Sequence, residues 1–400
     1  MTKSINFLMK DKQTFKQIFL DHWESFKQSY PAYNDERYDE SVQRMLGCGD
    51  DSNGYIEYIC TFCGADKRRI AFSCKSGFCL SCGKVYGDKV VVQVSKTLHA
   101  SVSYRHIVLT VPEQLREVFY QQRKQKELYS LLLQIAYECL KDVVINATGK
   151  RLIIGATIVL HTHGRPGTFN PHAHVIMTNG GIDVENEEWI ELGYFPYNLI
   201  HKKWQYHLLT MVKSFFGKKV SPLVDMLWKK YPKGFVSHVS KGEAPSSSRG
   251  LAKYLAKYVA SPPISLKRIL NYDGKSVTYW YKDHKSKKRK TETVSAKTFI
   301  GRMMQHILPK GFQRIRYYGL QATKTFVKWQ DKIKEGLKKV GKLAKDVYQV
   351  ITLKNYRERY LEASGKDPFL CKRCGREMEL WKIWHPVKGF LYELELMNTS

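Results

Sequence analysis

The sequence predicts an α+β protein in which a central antiparallel β-sheet is flanked by helices, with a small N-terminal zinc ribbon and a helical C-terminal region. Three observations lead to this prediction. Strand-like apolar segments alternate with helical segments from about residue 104 to 308. Six of the nine cysteines lie between Cys48 and Cys82. A lysine-rich stretch from about residue 322 to 363 has a helical pattern.

Changes in pattern along the chain predict four regions. Residues 1–47 form a helical N-terminal segment, and residues 48–95 form a zinc-binding domain. Residues 96–300 form the main α+β domain, and residues 301–400 form a basic helical region with a Cys-X-X-Cys knuckle. The first helix repeats Phe15, Phe19 and Trp23 on one face, which favours packing over DNA contact as its role.

The main domain is predicted element by element from its apolar periodicity and from its proline and glycine residues. In chain order, we expect a strand ending at Pro112, a helix over 125–146, strands over 151–164 and 172–181, a helix over 198–217, a strand over 234–242, a helix over 250–260, a hairpin over 275–296 and a helix over 296–308. Cys139 lies on the first of these helices, where it is interpreted as a core residue.

The charge balance indicates a polyanionic partner. Lys and Arg total 66 against 37 Asp and Glu, which gives a formal net charge of +29. Nucleic acid is the first candidate and an anionic membrane surface the second. The sequence has no apolar run long enough for a transmembrane helix, and its start is too charged for a signal peptide, so we expect a cytoplasmic protein.

Cysteine spacing predicts a structural zinc site. Cys60 and Cys63 form one Cys-X-X-Cys pair, and Cys79 and Cys82 form a second pair. Two such pairs offer four thiolates to one tetrahedral Zn²⁺, so these four residues are the expected ribbon ligands.

The remaining cysteines outside the core leave alternatives open. Cys48 and Cys74 could form a second site together with a histidine, or one of them could replace a ribbon ligand. Cys371 and Cys374 form half a ribbon, which either takes distant ligands such as His385 or is a remnant without metal.

Two groups of basic residues are candidates for DNA contact. Lys67, Arg68 and Arg69 alternate with aromatic residues between the cysteines. The predicted hairpin has a basic tip with Lys285, Lys287, Lys288, Arg289 and Lys290. The alternative for each group is a solvated basic surface that does not contact DNA.

Histidines at alternate positions predict a metal site on a strand. Because residues i and i+2 of a strand share a face, His172 and His174 should present two imidazoles together. The preceding strand carries His161 and His163 in the same spacing, so either could complete a three-histidine set.

Two tyrosines follow at helical spacing. Tyr254 and Tyr258 are four residues apart in "YLAKYV" and should lie on one helical face. Such aromatic pairs are mostly core residues. Beside a metal-bound phosphate, however, two phenols could act as nucleophiles, with the metal compensating for the weak nucleophilicity of a phenol at neutral pH.

The combination of "VLHTHG", "NPHAHV" and "YLAKYV", the cysteine block and "AKTFIGRMMQHILPKGFQRIRYYG" resembles the IS91 family of transposases, which carry two tyrosines. The resemblance covers about residues 45–320. It implies that residues 96–300 form an HUH-type nuclease domain, a class that cuts single-stranded DNA and holds the 5′ phosphate on tyrosine.

The resemblance implies roles for individual residues. His172 and His174 match the family's histidine pair, and His161 matches the third ligand position, so His161 is preferred over His163. Tyr254 and Tyr258 match the nucleophiles. The implied catalytic metal is Mg²⁺ or Mn²⁺, with structural Zn²⁺ in the cysteine block. The implied partners are single-stranded DNA at transposon ends, target DNA, and a host helicase and replication proteins at the nucleoid.

The sequence departs from the family at two places, and other functions stay open. Asn170 stands where the family often has histidine, and Gly77 and Phe78 replace an Arg-His pair, which could change the metal count or the DNA contacts. A rolling-circle replication initiator or a relaxase would use the same chemistry. In another class, the chain could be a noncatalytic zinc-ribbon DNA-binding protein.

Overall fold

The structure is a computed structural model of the 400-residue chain. It describes residues 2–99, 102–120, 123–193, 195–239, 250, 254, 263–283, 286–339 and 353–394. The predicted helix over 250–260 therefore lies largely outside the described residues, and of its two tyrosines only Tyr254 is described.

Helices and strands alternate along most of the described chain. The α-helices are α1 (Thr2–Ser29), α2 (Glu36–Leu46), α3 (Gly83–Ser95), α4 (Glu113–Phe119), α5 (Gln125–Thr148), α6 (Tyr197–Phe216), α7 (Ser221–Lys230), α8 (Ala296–Met304), α9 (Phe326–Lys339) and α10 (Tyr356–Ser364). The strands are β1 (Tyr55–Ile59), β2 (Lys67–Ala71), β3 (Tyr104–Thr110), β4 (Leu152–His163), β5 (Phe169–Asp183), β6 (Trp189–Glu191), β7 (Ser237–Val239), β8 (Ile269–Tyr272), β9 (Ser276–Lys282), β10 (Arg289–Ser295), β11 (Ile315–Gly319), β12 (Glu379–His385) and β13 (Gly389–Glu393).

The chain divides into two compact units that do not follow the four predicted regions. Unit 1 consists of residues 1–86 together with 352–400, and unit 2 consists of residues 87–351. The predicted C-terminal region 301–400 is thus divided between them. It is also not wholly helical, because β11 belongs to the main sheet of unit 2 and β12 and β13 form a hairpin in unit 1.

Unit 1 combines the helices α1, α2 and α10 with a four-stranded antiparallel sheet. The strand order is β13-β12-β1-β2, so the C-terminal hairpin pairs directly with the N-terminal strand β1. In α1, the aromatic side chains of Phe15, Phe19 and Trp23 are buried, and Phe78 packs edge-on against Phe19 at 5.6 Å between ring centroids. The sequence-based interpretation of this helix as a packing element is confirmed.

Unit 2 is built on an antiparallel sheet with the strand order β11-β4-β5-β3-β7, and β6 pairs with β5. All of its pairings are antiparallel, as the sequence predicted. The long helix α5 ends at Gly149, whose backbone φ of 69° lies in the left-handed region that favours glycine. Helices α5 and α6 pack together against one face of this sheet.

The core of unit 2 lies between that sheet face and the two helices. Alternate residues of the central strands are buried there, including Leu109 on β3, Leu160 on β4 and Ala173 on β5. Trp204 of α6 is fully buried, and its indole N–H donates to the Thr110 carbonyl at 2.8 Å. The opposite sheet face is therefore available for polar side chains.

A separate three-stranded sheet, β10-β9-β8, contains the predicted hairpin. Its two long strands pair from Ser276 opposite Ser295 to Lys282 opposite Arg289. The predicted helix after the hairpin is α8, whose N-terminus is capped by Ser295. In the part of the chain that the structure describes, no helix combines the length and the apolar character needed to cross a membrane.

Candidate active site and metal centres

The strand register places histidines on the polar face of the unit 2 sheet. His172 on β5 lies directly opposite Thr110 on β3 and His161 on β4. Directly paired residues of antiparallel strands project to the same face, and His174 projects there too because it is two residues along. Ala173 projects into the core. The predicted shared face of the two imidazoles is confirmed.

His161, His172 and His174 form a compact set of donor atoms. Their candidate ligand nitrogens all lie within 4.8 Å of one another, and all three side chains are buried. The Nε2 atoms of His172 and His174 are 3.1 Å apart. Two ligands at right angles, each about 2.1 Å from an ion, lie about 3.0 Å apart, so this spacing fits a shared metal ion.

Hydrogen bonding and burial prepare these imidazoles as ligands. The Nδ1 of His172 donates to the Asn170 carbonyl at 2.7 Å, which leaves its Nε2 lone pair directed toward His174. Burial lowers the pKa of His172 to about 4 and lowers the pKa of His161 and His174 well below the ordinary histidine value. All three rings are therefore neutral at pH 7, the form that binds metal.

A cation lies near this set. The Nε of Arg314, which precedes β11, donates to the Leu160 carbonyl on β4 at 2.8 Å. After burial and neighbouring histidines, its positive charge also contributes to lowering the pKa of His161 and His174. Sequence reasoning missed Arg314, although it lies in the "GFQRIRYYG" segment that contributed to the family resemblance.

Tyr254 reaches the histidine set through a residue that sequence reasoning missed. A hydrogen bond of 2.9 Å joins Tyr254 Oη to Nδ1 of His106, and a second bond of 3.0 Å joins Nε2 of His106 to Nδ1 of His174. His106 lies on β3 in "YRHIVLT", two residues from Val108, which pairs with His174. The sequence signal that could have identified His106 is its place on a predicted strand, two residues from the position opposite His174 and therefore on the same sheet face. Tyr258 lies outside the described residues.

His163 is not part of the compact set. Its ring stacks beside His161 at 4.9 Å and meets His306 of the segment after α8 edge-on at 5.2 Å. His306 in turn bonds to Thr162 Oγ1 at 3.1 Å and to the Gly167 carbonyl at 3.0 Å. The geometry thus favours His161 over His163 as the third ligand, in agreement with the resemblance.

The first cysteine cluster in unit 1 joins Cys48, Cys74, Cys79 and Cys82. The Sγ of Cys82 lies 3.5 Å from that of Cys48 and 3.6 Å from that of Cys74. Hydrogen bonding to Cys74 lowers the pKa of the Cys48 thiol, which favours a thiolate in the cluster. Cys48 and Cys74, which the sequence left unassigned, are thus members of a four-thiol site.

The second cluster joins Cys60, Cys63, Cys371 and Cys374. The Sγ of Cys63 lies 3.5 Å from both Cys60 and Cys371, and Cys60 lies 3.5 Å from Cys374. The predicted ribbon of Cys60, Cys63, Cys79 and Cys82 is therefore wrong, because pairing of β12 with β1 brings the C-terminal cysteines to the first pair.

Both clusters fit tetrahedral Zn²⁺. With zinc–sulfur bonds of about 2.3 Å, the sulfurs of a tetrahedral site lie about 3.8 Å apart, close to the distances observed. Backbone N–H groups of Arg373 and Cys374 donate to the Cys371 sulfur, and the Cys374 contact is the main cause that lowers the pKa of Cys371 to about 7. His385 is not needed as a ligand; its Nδ1 accepts from the Val387 N–H at 3.2 Å.

The basic residues between the cysteines are engaged with aromatic rings of unit 1. Lys67 lies over the Trp381 ring at 4.4 Å, Arg68 over Tyr360 at 4.5 Å and Arg69 over Tyr55 at 4.1 Å. Arg69 also pairs with two carboxylates, Glu57 at 3.3 Å and Asp51 at 3.4 Å. These interactions occupy part of the charge that the sequence suggested for DNA.

The basic hairpin tip is more open. Lys287, Lys288, Arg289 and Lys290 are all exposed, whereas Lys285 lies outside the described residues. Arg289 lies over the Trp280 ring at 4.4 Å, and Lys290 pairs with Asp283 at 3.4 Å. The tip thus combines cations with an aromatic ring, a combination that suits nucleic acid.

Two protein family models match the chain, and both describe transposases. Residues 155–328, which include the three histidines and both tyrosines, match the family described as "Putative transposase". Residues 18–111, which include six clustered cysteines, match the family described as "Transposase zinc-binding domain". Cys371 and Cys374 lie outside both matched ranges.

Two curated relatives span most of the chain. One is the transposase for insertion sequence element IS801 of Pseudomonas savastanoi pv. phaseolicola, 28% identical over 85% of this chain and 82% of its own length. The other is "Putative transposase y4qJ" of Sinorhizobium fredii, 27% identical over 84% of this chain and 86% of its own. No solved structure matches the chain. Both family matches and both relatives thus place the chain in the class of transposases. The chain belongs to the IS91 family of transposases.

Proposed function

We propose that this transposase nicks and joins single-stranded DNA at the ends of its insertion sequence through 5′-phosphotyrosine intermediates, in rolling-circle-like transposition. The observation that carries the proposal is the hydrogen-bonded connection from Tyr254 Oη through His106 to His174. A tyrosine oxygen held beside a metal-ligand set supports metal-assisted covalent phosphoryl transfer, because the nucleophile and the ion could act on the same phosphate.

The three histidines are the proposed holders of the catalytic cation. His161, His172 and His174 offer neutral imidazole nitrogens, a donor type that suits Mn²⁺ better than Mg²⁺, which prefers oxygen. When bound, Mn²⁺ or Mg²⁺ would polarise the scissile phosphate and offset its charge. The positive charge of Arg314 lies near the same set and would also favour an anionic phosphate there.

The proposed cleavage conserves phosphodiester bonds. The Oη of Tyr254 forms a bond to phosphorus while the bond from phosphorus to the 3′ oxygen breaks, and the phenol proton ends on the released 3′ hydroxyl. Joining is the reverse: a 3′ hydroxyl attacks the phosphotyrosine and the phenol regains its proton. Neither step consumes ATP. Tyr258 is the proposed second nucleophile, cutting the target or the other end.

The remaining parts of the chain are proposed to bind DNA and host factors. The exposed basic tip at residues 287–290 would contact the DNA backbone, and the zinc-binding region would help to recognise the element ends. The sequence has no Walker A pattern, so strand separation would depend on a host helicase. Transposition would take place at the nucleoid. The transposase family favours this role over replication initiation or conjugative transfer, which would use the same chemistry.

The test is covalent capture. The protein is incubated with a labelled single strand from its own element end and Mn²⁺, and denaturation-resistant adducts are counted. Tyr254→Phe and Tyr258→Phe together should abolish the adduct, as should His172→Ala. The single tyrosine variants then show which residue cuts first. Tyr137→Phe is the matched control, because that phenol donates to the Ile154 carbonyl at 3.1 Å and is not a member of the histidine set, so its loss should not affect the adduct.

A different result would overturn the proposal. If the wild-type protein binds its element ends but forms no adduct with either cation, the noncatalytic DNA-binding alternative is correct. If the double tyrosine variant still forms the adduct, another residue is the nucleophile.

A further inference from the structure

We propose that His106 is a positioning residue that aims the Tyr254 oxygen and sets the orientation of His174 with one imidazole ring. The inference rests on the proposed function for the role of Tyr254. Its second part, the orientation of His174, depends only on the histidine set. His106 is outside the predicted ligand and nucleophile sets.

The geometry uses both nitrogens of His106. Nδ1 lies 2.9 Å from Tyr254 Oη, and Nε2 lies 3.0 Å from Nδ1 of His174. The His106 ring is stacked on His174, with 5.2 Å between centroids and 11° between planes, and it meets the Tyr254 ring edge-on at 5.3 Å. Only 3% of His106 is exposed, so water does not compete well for these bonds.

The direction of the bonds follows from the metal side. His172 and His174 approach each other through their Nε2 atoms, so the lone pair of His174 Nε2 faces the proposed ion. The hydrogen of the neutral His174 ring is then on Nδ1 and is donated to Nε2 of His106. His106 in turn carries its hydrogen on Nδ1 and donates it to Tyr254 Oη. The His106 ring thus holds the phenol oxygen of Tyr254 in place and also fixes the tautomer of the ligand His174.

His99 provides a matched control within unit 2. It is also 3% exposed, but its Nε2 bonds to the backbone carbonyl of Leu320 at 2.8 Å, and its ring stacks on Phe326. Replacing either histidine by leucine removes a buried imidazole. Only the replacement of His106 removes the hydrogen bonds to Tyr254 and His174.

The experiment compares His106→Leu, His106→Gln and His99→Leu in the full-length protein. Glutamine keeps one acceptor and one donor, so it can bridge the two partners as a neutral imidazole does. Two quantities are measured: the affinity for Mn²⁺ without DNA, by the electron paramagnetic resonance signal of free Mn²⁺, and the single-turnover rate of adduct formation at saturating DNA and Mn²⁺. Circular dichroism melting checks that each variant is folded.

We expect His106→Leu to weaken Mn²⁺ binding about 10- to 100-fold. We also expect it to slow adduct formation about 100-fold at saturation, with DNA affinity unchanged. His106→Gln should recover most of both losses. His99→Leu should lower the melting temperature and change neither quantity.

Two results would overturn the inference: His106→Leu behaving like His99→Leu, or a folded His106→Gln losing as much as His106→Leu. Failure of the proposed function is distinguishable, because then the wild-type protein itself forms no adduct. In that case the Mn²⁺ affinity tests the second part of the inference by itself. If His106→Leu binds Mn²⁺ as tightly as the wild-type protein does, His106 does not orient His174.

Discussion

Replacing Cys371 and Cys374 with serine should remove one of two zinc ions from this transposase and leave the other in place. The structure puts these two cysteines in one cluster with Cys60 and Cys63, while Cys79 and Cys82 belong to the other cluster. If the ribbon predicted from spacing were correct and Cys371 and Cys374 were a remnant without metal, the same substitutions would leave the zinc content unchanged. The perturbation therefore separates the two ligand assignments directly.

The magnitude follows from the chain lengths that each site closes. Cys60 and Cys374 are 314 residues apart, whereas Cys48 and Cys82 are 34 residues apart. A loop-closure cost of (3/2)RT ln n is at most about 5 kcal/mol for the longer loop, which the folded unit 2 shortens, and about 3 kcal/mol for the shorter. Structural zinc supplies about 10–16 kcal/mol at neutral pH, so both sites should close.

Because its loop is longer, the second cluster should have a net zinc-binding free energy that is weaker than that of the first cluster by up to about 2 kcal/mol. This difference corresponds to about 30-fold in zinc affinity. Zinc should therefore leave the Cys60 cluster first as a competing chelator is added. Loss of that ion should also free the C-terminal hairpin, because its strand pairing with β1 then lacks the metal crosslink. A protease should cut between residues 353 and 394 faster in the variant than in the wild-type protein.

The assay is zinc content by mass spectrometry, combined with chelator titration and limited proteolysis. Cys139→Ala is the control, because this cysteine is buried in the α5 core and belongs to neither cluster. Two zinc ions in the Cys371 and Cys374 double variant would refute the assignment. Release of zinc from the Cys48 cluster first would refute the loop-closure argument.

Three further predictions concern stability, pH and DNA. Gly234 and Gly274 share a φ of 89°, but a Cβ at Gly234 would lie 2.2 Å from a backbone carbonyl carbon and one at Gly274 would meet nothing within 4 Å. Gly274→Ala should lower the free energy of unfolding by about 1–2 kcal/mol and Gly234→Ala by about 2–5 kcal/mol, measured by denaturant unfolding. Burial lowers the pKa of His99 to about 4, so the neutral ring contributes up to about 3 kcal/mol to the free energy of unfolding above pH 6.5. This contribution is lost as the pH falls toward 4, and His99→Leu should therefore reduce the loss of stability in acid. Neutralising residues 287–290 should reduce the salt slope of single-strand binding by about 0.7 for each phosphate that is no longer neutralised. Neutralising residues 67–69 should reduce the slope less, because all three of those cations lie over aromatic rings and Arg69 also pairs with two carboxylates, whereas Lys287 and Lys288 are exposed at the tip.

Local patterns were sufficient for much of the fold. Strand-like apolar segments bounded by proline and glycine predicted β3, β4 and β5, and their antiparallel pairing is confirmed. The spacing of His172 and His174 predicted a shared face because the side-chain period of a strand is two, a property that needs no knowledge of distant residues. The cysteine pairs likewise indicated zinc, since a Cys-X-X-Cys turn presents two thiolates wherever it lies.

The assignment of partners across long sequence separations was different. Which Cys-X-X-Cys pairs share a metal depends on the pairing of β12 with β1, and which residue connects Tyr254 to the histidines depends on β3 lying beside β5. The sequence by itself determined the donor groups, the strand faces and the transposase family. Only the tertiary structure decided which donors meet, because strand order depends on the burial of complete sheet faces and not on the spacing of any one motif.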